Sequence, residues 1–203
     1  MSFYADRIMP RMIAAGMQNK AMRRYRPRIP PLAKGRVLEI GIGSGLNLPY
    51  YGREVTRVFG LEPSEFLRNQ AAEAGRSAPF PVELLSAGAE SIPLDSHSVD
   101  TVVSTWTLCS IPDLDAALGE IRRVLRPDGR LLFFEHGRAP DASVSRWQDR
   151  LAPVFRGLAG CNPNRQIDAS ITDAGFRMLE IERAYLDGPR FISWHFVGQA
   201  ATT

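Results

Sequence analysis

Three glycines at alternating positions, Gly41, Gly43 and Gly45, are the residues of this sequence best suited to hold a small molecule. They follow the run Val37–Ile40, which is apolar except for Glu39 and predicts a buried strand ending in a tight turn. Glycine lacks a Cβ and tolerates positive φ, so bare amides and a helix start can approach a ligand there. The stretch predicts a binding loop or, as the simpler interpretation, only a strand-to-helix turn.

A dinucleotide site is a competing interpretation of these glycines. Such a site places glycines at the first, third and sixth positions and seats a pyrophosphate on the helix N-terminus. Here Leu46 occupies the sixth position, and the third glycine comes one residue early. The acidic residue Glu62 follows the second predicted strand, where it could hold a pair of ribose hydroxyls. The pattern favours a nucleoside ligand without a pyrophosphate.

The composition indicates one globular domain over residues 1–203. The chain is 44% hydrophobic and 23% charged, which is typical of a protein with an ordinary core. Its two cysteines, Cys109 and Cys161, make no disulfide framework, and no His/Cys cluster has metal-ligand spacing, so we predict no metal. Without a membrane-spanning run or a signal-peptide core, we expect a cytoplasmic protein.

Basic residues concentrate at the N-terminus. Residues 1–36 carry a net charge of +8, whereas the whole chain carries +3, so the remainder is mildly acidic. Nucleic acid is therefore not an expected partner. Residues 11–25 predict an amphipathic helix that packs over the domain, with contact to a membrane surface as the alternative. The apolar face of this helix comprises Ile13, Ala14, Met17, Ala21 and Tyr25.

Strands and helices alternate after the glycine loop, which predicts an α/β protein with a parallel sheet and right-handed crossovers. The predicted strands are residues 56–61, 82–85, 99–104 and 130–135, and the predicted helices begin after Ser64 and Asp113. Residues 139–165 interrupt the alternation with a helix that we expect to form a lid. Its predicted apolar stripe is Val144, Trp147, Leu151, Val154, Phe155 and Leu158.

In such sheets the ligand lies beyond the carboxyl ends of the strands, next to strand one. Residues scattered along the chain should therefore meet at this edge. They are the glycine loop, Glu62, residues 87–90, residues 105–109 and the pair Glu135 and His136.

With these elements in place, the chain resembles the class I S-adenosylmethionine (SAM) dependent methyltransferases over nearly its full length. The resemblance rests on the glycine loop, Glu90–Leu94, Ser98–Val103 and Val124–Arg130. A narrower likeness, to the branch with the methyltransferase-like thiol S-methyltransferases, rests on residues 108–111, 134–136 and 160–161.

The resemblance implies a Rossmann-like, seven-stranded, mostly parallel sheet with helices on both faces. The sequence itself predicts an antiparallel hairpin at residues 177–186 and 191–199, an N-terminal helix and linker (1–35) and a helical lid after strand five (139–165).

SAM is the cofactor that the resemblance implies. Glu62 would bind the ribose hydroxyls, and the amide of Ala89 would face the adenine. Many relatives carry an acidic residue where Gly88 stands, so the contact to the adenine amino group must come from backbone, water or Glu90. The implied cofactor-binding residues are Glu39, Gly41, Ile42, Gly43, Gly45, Glu62, Pro63, Gly88, Ala89, Glu90, Thr105 and Trp106.

Three residues are predicted to act near the transferred methyl group: Thr105, His136 and Arg165. Methyl transfer from a sulfonium is an in-line displacement, in which positioning and ionisation of the nucleophile supply most of the catalysis. His136, or the positive field of Arg165, would raise the thiolate fraction of a thiol acceptor. Alternatively, His136 and Glu135 only shape the strand end. We expect the two cysteines to pack rather than react.

We therefore expect an enzyme that methylates a small molecule, foremost the sulfur of a thiol. Methylation of O, N or C in a quinone, a phospholipid or another metabolite is the alternative within the class. A SAM-binding protein without turnover and a nicotinamide-dependent oxidoreductase are alternatives outside it. Leu46, and the lack of a Tyr/Lys pair near strands four and five, disfavour the oxidoreductase.

Overall fold

The computed structural model describes residues 4–18 and 20–202. Its strands are β1 (Gly35–Ile40), β2 (Val55–Leu61), β3 (Val82–Leu85), β4 (Val99–Thr105), β5 (Leu125–His136), β6 (Phe176–Tyr185) and β7 (Trp194–Thr202). They form one sheet in the order β3-β2-β1-β4-β5-β7-β6. The first five pair in parallel, and β7 runs antiparallel to β5 and β6. The predicted mostly parallel sheet with a C-terminal hairpin is confirmed.

Helices cover both faces of this sheet. They are α1 (Met9–Met17), α2 (Lys20–Tyr25), α3 (Glu65–Gly75), α4 (Leu114–Val124), α5 (Ala142–Ala159) and α6 (Ile167–Asp173). Neighbouring residues of a strand point to opposite faces. Accordingly, Leu38 of β1 belongs to the core that contains Leu118 and Ile167, whereas Val37 belongs to the core that contains Ala71. Among the described residues, no helix is long and apolar enough to cross a membrane.

Two predicted helix caps are present. The Ser64 hydroxyl accepts a hydrogen bond from the amide of Leu67 at 3.4 Å, and the Asp113 carboxylate accepts one from the amide of Ala116 at 3.0 Å. A cap satisfies an amide that has no partner within the helix. These caps determine where α3 and α4 begin after the loops at the ligand edge of the sheet.

The N-terminal segment is not the single helix predicted for residues 11–25. It forms α1 and α2, which are separated after Met17. Arg26 explains the break, because its guanidinium donates a hydrogen bond to the carbonyl of Met17 at 3.3 Å and satisfies a group at the end of α1. Residue 19 and the side chain of Ala21 lie outside the described part of the chain. Membrane contact by this segment stays a prediction.

Helix α5 buries a different face from the one predicted. Trp147, Val154 and Leu158 of the predicted stripe are more than half exposed, at 56%, 52% and 57%. The buried side chains are instead Ser145, Gln148 and Ala152.

Hydrogen bonds of the Gln148 side chain account for this orientation of α5. Its amide nitrogen, which carries two N–H groups, lies within hydrogen-bond distance of three backbone carbonyls, and its amide oxygen accepts from one backbone N–H, so this buried polar group is fully paired. The partners are the carbonyls of Gly137, Pro163 and Phe191 and the amide of Ala139.

Two strand boundaries also differ from the prediction. Strand β5 begins at Leu125, not after residues 127–129, because Leu125 pairs with Val99 before an irregularity in the ladder. Strand β7 begins three residues later than expected, because Leu186 donates to the carbonyl of Ser193 and so lengthens the connection. Neither difference changes the ligand edge of the sheet.

Candidate active site

A cavity of about 300 Å³ lies at the carboxyl ends of β1, β2 and β4. Eleven of the twelve predicted cofactor-binding residues line it, and Gly45 is the exception. Parallel strands end at a common edge, which explains how residues from Glu39 to Trp106 meet there.

The three loop glycines have different roles, although each has a positive φ. A Cβ on Gly41 would lie 2.5 Å from Thr107, and one on Gly45 would lie 2.9 Å from Ala74. These two positions require glycine because the loop packs against neighbouring side chains. Gly43 differs, since a Cβ there would meet only the carbonyl of Gly41, at 3.9 Å. The open space at Gly43 faces the cavity and leaves room for a ligand.

Glu62 follows β2 and its carboxylate is fixed by two backbone amides. One oxygen accepts from Gly43 at 3.2 Å, and the other accepts from Ser64 at 2.9 Å. Burial raises the pKa of Glu62, and these hydrogen bonds partly oppose the shift. A carboxylate has about four lone-pair sites, so each oxygen can still accept a hydrogen bond from a ligand hydroxyl.

The carboxylate of Glu90 lies next to Gly88. A Cβ built on Gly88 would lie 2.7 Å from a Glu90 oxygen, and both residues line the cavity. The Glu90 carboxylate therefore occupies the space in which the side chain of an acidic residue at position 88 would begin. Backbone, water and Glu90 were the three alternatives for contacting the adenine amino group, and of these Glu90 supplies a carboxylate next to position 88.

A buried polar network lies beneath the glycine loop. Glu39 accepts hydrogen bonds from Asn47 at 2.7 Å and from Tyr51 at 2.8 Å. Asn47 also donates to the hydroxyl of Thr105 at 2.9 Å and accepts from Arg26 at 2.8 Å. Burial raises the pKa of Glu39 to about 7, while the hydrogen bonds and the Arg26 charge oppose the shift. The network connects the N-terminal segment to the ends of β1 and β4.

Arg26 and Asn47 were not predicted as site residues. Arg26 is 5% exposed, lines the cavity and lies 5.2 Å from the Trp106 ring centroid. In the sequence it is one of nine basic residues within positions 1–36, and no spacing separates it from the others. Asn47 stands two residues after Gly45, and this closeness to the glycine loop is the feature of the sequence that could have identified it as a site residue. Four residues of α1 also line the cavity, namely Met9, Ile13, Ala14 and Met17. The last three belong to the predicted apolar face, whereas Met9 precedes the predicted helix.

Trp106 occupies a strained backbone conformation at the cavity wall. Its φ is +53°, a region that bulky residues rarely adopt. The indole N–H donates to Nε2 of His195 at 3.0 Å, and the ring lies 4.6 Å from that of Phe134. The Nδ1 of His195 is 2.8 Å from the Ser193 carbonyl. Burial lowers the pKa of His195 to about 4, which matches a neutral ring that accepts from Trp106.

The three predicted catalytic residues occupy different places. Thr105 lines the cavity, whereas His136 and Arg165 are not among the lining residues. The guanidinium of Arg165 donates to the carbonyls of Leu108, at 2.6 Å, and of Ile111. Arg165 thus holds the turn that follows β4.

His136 belongs to a cluster with Cys109 and Cys161. The Nε2 of His136 is 3.0 Å from the Cys161 sulfur, and the two sulfurs and one ring nitrogen of His136 all lie within 4.8 Å of one another. The sequence showed no such cluster, because the three residues come from the turn after β4, the end of β5 and the loop after α5. Ser110 and Gly160, their sequence neighbours, line the cavity.

The two thiols of this cluster do not ionise independently. A hydrogen bond from Cys161 lowers the pKa of Cys109 well below its usual value, and the same hydrogen bond raises the pKa of Cys161. Burial lowers the pKa of His136, but the charge and the hydrogen bond of Cys109, together with the charge of Glu135, outweigh burial and leave that pKa raised. The adjacent Glu135 accepts from Ser104 at 2.7 Å, and burial raises its pKa to about 8.

The described side chains fit SAM. Glu62 would hold the ribose hydroxyls, the space at Gly43 would take the ligand beside the loop, and Glu90 would face the adenine amino group. SAM supplies an activated methyl group on its sulfonium when it is bound. The chain's own residues would bind and orient the ligand, and apolar side chains of α1 form part of the cavity wall.

Replacing Glu62 by alanine is expected to weaken SAM binding by about 1–3 kcal/mol, roughly 5- to 150-fold, because charge-assisted hydrogen bonds are lost. Isothermal titration with SAM measures the change. Glu65→Ala is the matched control, because Glu65 is exposed at the start of α3 and should leave the affinity unchanged. Equal affinities of the two variants would remove Glu62 from the ribose contact.

Comparisons with known proteins agree with this site. The methyltransferase domain family profile matches residues 38–133. Thiol S-methyltransferase TMT1B of Homo sapiens is 33% identical over 181 residues, which cover 83% of this chain and 72% of the human protein. Phosphatidylethanolamine N-methyltransferase of Cereibacter sphaeroides is 32% identical over 148 residues, 72% of each chain.

A solved structure shows the same fold. A SAM-dependent methyltransferase from Thermotoga maritima superposes with a TM-score of 0.70 at 20% identity, covering 97% of this chain and 99% of the other. The sheet order, the cavity at the ends of β1, β2 and β4, and these relatives lead to one conclusion. The chain belongs to the class I methyltransferases and is an enzyme that uses SAM, and within this family it resembles the thiol S-methyltransferases.

Proposed function

We propose that this methyltransferase transfers the methyl group of SAM to the sulfur of a small, largely apolar thiol. The observation that carries the proposal is the character of the cavity wall. Among its described lining residues, the ionisable side chains are Arg26, Glu39, Glu62 and Glu90. Each of these already has a place in the buried network or in the expected cofactor contacts. The remaining wall is mostly apolar and offers an acceptor no base of its own.

Because the cavity offers no side chain that is free to act as a general base, it favours an acceptor that loses its proton to solvent. At pH 7 a thiol with a pKa of about 8.5 is about 3% thiolate, which is a strong nucleophile. An alkyl amine with a pKa of about 10.4 is neutral in fewer than one molecule in roughly 10³, and an alcohol needs a base in the transition state. A thiol therefore makes the smallest demand on these residues.

The relatives support the proposal and provide its main competitor. The human relative is named a thiol S-methyltransferase, whereas the bacterial relative is named a phosphatidylethanolamine N-methyltransferase. A lipid amine is thus the acceptor against which a thiol must be tested. His136 as a proton acceptor stays a prediction, since its ring contacts Cys161 and is not among the residues lining the cavity.

The first test compares acceptors that differ in one functional group. Hexanethiol, hexanol, hexylamine and phosphatidylethanolamine in mixed micelles are each incubated with the enzyme and SAM, and S-adenosylhomocysteine formation is measured. We expect turnover with the thiol and none above background with the others. Turnover of the lipid or the alkyl amine without turnover of the thiol would contradict the proposal.

The pH dependence identifies the group that controls ionisation. With the acceptor below saturation, kcat/KM should rise about tenfold per pH unit below the acceptor's pKa and then level off. Two thiols of different pKa serve as matched acceptors. If the acceptor ionises unaided, the break in the profile moves with its pKa. A break at the same pH for both thiols would instead assign control to an enzyme group such as His136.

A further inference from the structure

We propose that Cys109, His136 and Cys161 bind a single zinc ion. The first argument is the donor set. Two thiols and an imidazole are the ligands that zinc prefers, whereas magnesium and calcium prefer oxygen. The proposal does not depend on which molecule accepts the methyl group.

The distances suit a tetrahedral ion. Zinc bonds of about 2.3 Å to sulfur and about 2.0 Å to nitrogen separate ligand atoms by roughly 3.5–3.8 Å. Here the two sulfurs and one ring nitrogen of His136 all lie within 4.8 Å of one another, and the Cys161 sulfur is 3.0 Å from Nε2 of His136. Small side-chain movements would therefore complete the three bonds, and the fourth position would remain for water or another ligand.

The backbone around the cluster is already held in place. Asn162 donates to the carbonyl of Cys109 from its amide at 2.9 Å and from its side chain at 3.2 Å. Arg165 binds the carbonyls on both sides of the same turn, at Leu108 and Ile111. These contacts bring the two cysteine segments together without a metal, so zinc would not have to organise the site.

The charges and the access route also fit. Two thiolates would neutralise the charge of a divalent ion. Cys109 is 2% exposed, whereas Cys161 is only partly buried, which leaves an entry path for the ion. A bound ion would join the loop after α5 to the ends of β4 and β5, and would thereby fasten the helix beside the cavity to the sheet.

Cobalt provides a test that does not require activity. The 203-residue chain is reduced with a phosphine, treated with a chelator, desalted, and titrated to verify two free thiols. Adding Co²⁺ should then produce an intense near-ultraviolet thiolate-to-cobalt absorption and the visible bands of tetrahedral cobalt. One equivalent of Zn²⁺ should remove both signals and raise the midpoint of thermal unfolding, whereas Mg²⁺ should do neither.

Variants assign the signal to the cluster. The double variant Cys109→Ser/Cys161→Ser should lose the thiolate-to-cobalt absorption, and His136→Asn should alter the tetrahedral bands. The control is His97→Gln, since Nδ1 of His97 lies 2.9 Å from the Leu125 carbonyl, away from the cluster, and this variant should behave as wild type. Binding of S-adenosylhomocysteine and circular dichroism verify folding.

Absence of the absorption in the reduced wild-type protein would overturn the proposal, even if a variant fails to fold. Persistence of the absorption in the folded double variant would also overturn it.

Discussion

Replacing Arg26 by methionine is expected to lower the free energy of unfolding by about 3 kcal/mol and to weaken SAM binding at least tenfold. Methionine keeps most of the apolar volume but cannot donate to Asn47 or to the carbonyl of Met17. The buried Glu39 would also lose the positive charge that favours its ionised form. Both the cavity wall and the end of α1 would be disturbed, because Arg26 contributes to each.

The matched control is Arg28→Met, in the same turn of the chain. Arg28 is exposed and pairs with Glu182 at the surface, where an ion pair contributes only about 0–1 kcal/mol. Denaturant unfolding followed by circular dichroism and isothermal titration with SAM measure the two effects. If Arg26→Met and Arg28→Met are equally stable and bind equally well, the network beneath the loop does not depend on Arg26.

The second large effect concerns Glu39 and pH. Its pKa rises from 4.5 to about 7 in the folded protein because of burial. Between these values the folded state binds more protons than the unfolded state, so the free energy of unfolding falls as pH rises. The stabilisation from this group is present below the unfolded pKa and is lost as pH passes through the folded pKa. A shift of this size corresponds to roughly 3 kcal/mol.

Glu39→Gln imitates the protonated carboxyl group, since its amide can accept from Asn47 and donate to Tyr51. The stability of the wild type relative to this variant should fall by roughly 3 kcal/mol from about pH 4 to about pH 8. Glu54→Gln is the control, because Glu54 is exposed and its carboxylate forms a surface ion pair with Lys34 at 3.0 Å. A constant difference between wild type and Glu39→Gln over this range would contradict a raised pKa.

Much of the fold could be predicted from short-range patterns. The alternation of apolar strands with capped helices determined the parallel sheet, and Ser64 and Asp113 marked the starts of α3 and α4. The glycine loop and Glu62 located the ligand edge, because strand order places the ends of β1 and β2 together. Predicted boundaries were wrong where pairing across the ladder, as at Leu125 and Val99, extended a strand.

The orientation of α5 shows where such patterns fail. Periodicity assumes that the apolar stripe is the buried one, but Gln148 forms hydrogen bonds with loop groups far away in the sequence. Because its polar atoms are hydrogen-bonded, the Gln148 side chain is buried with little loss of free energy, and Trp147 remains exposed. Nothing in the spacing of residues 142–159 reveals those partners.

The sequence by itself determined the α/β class, the position of the glycine loop and the acidic residue after β2, since these depend on neighbouring residues and on the order of elements. Only the tertiary structure decided that Arg26 enters the cavity and that Cys109, His136 and Cys161 meet. These contacts join segments separated by 21 or more residues. Their geometry depends on how loops and helices pack on the sheet, which no local pattern encodes.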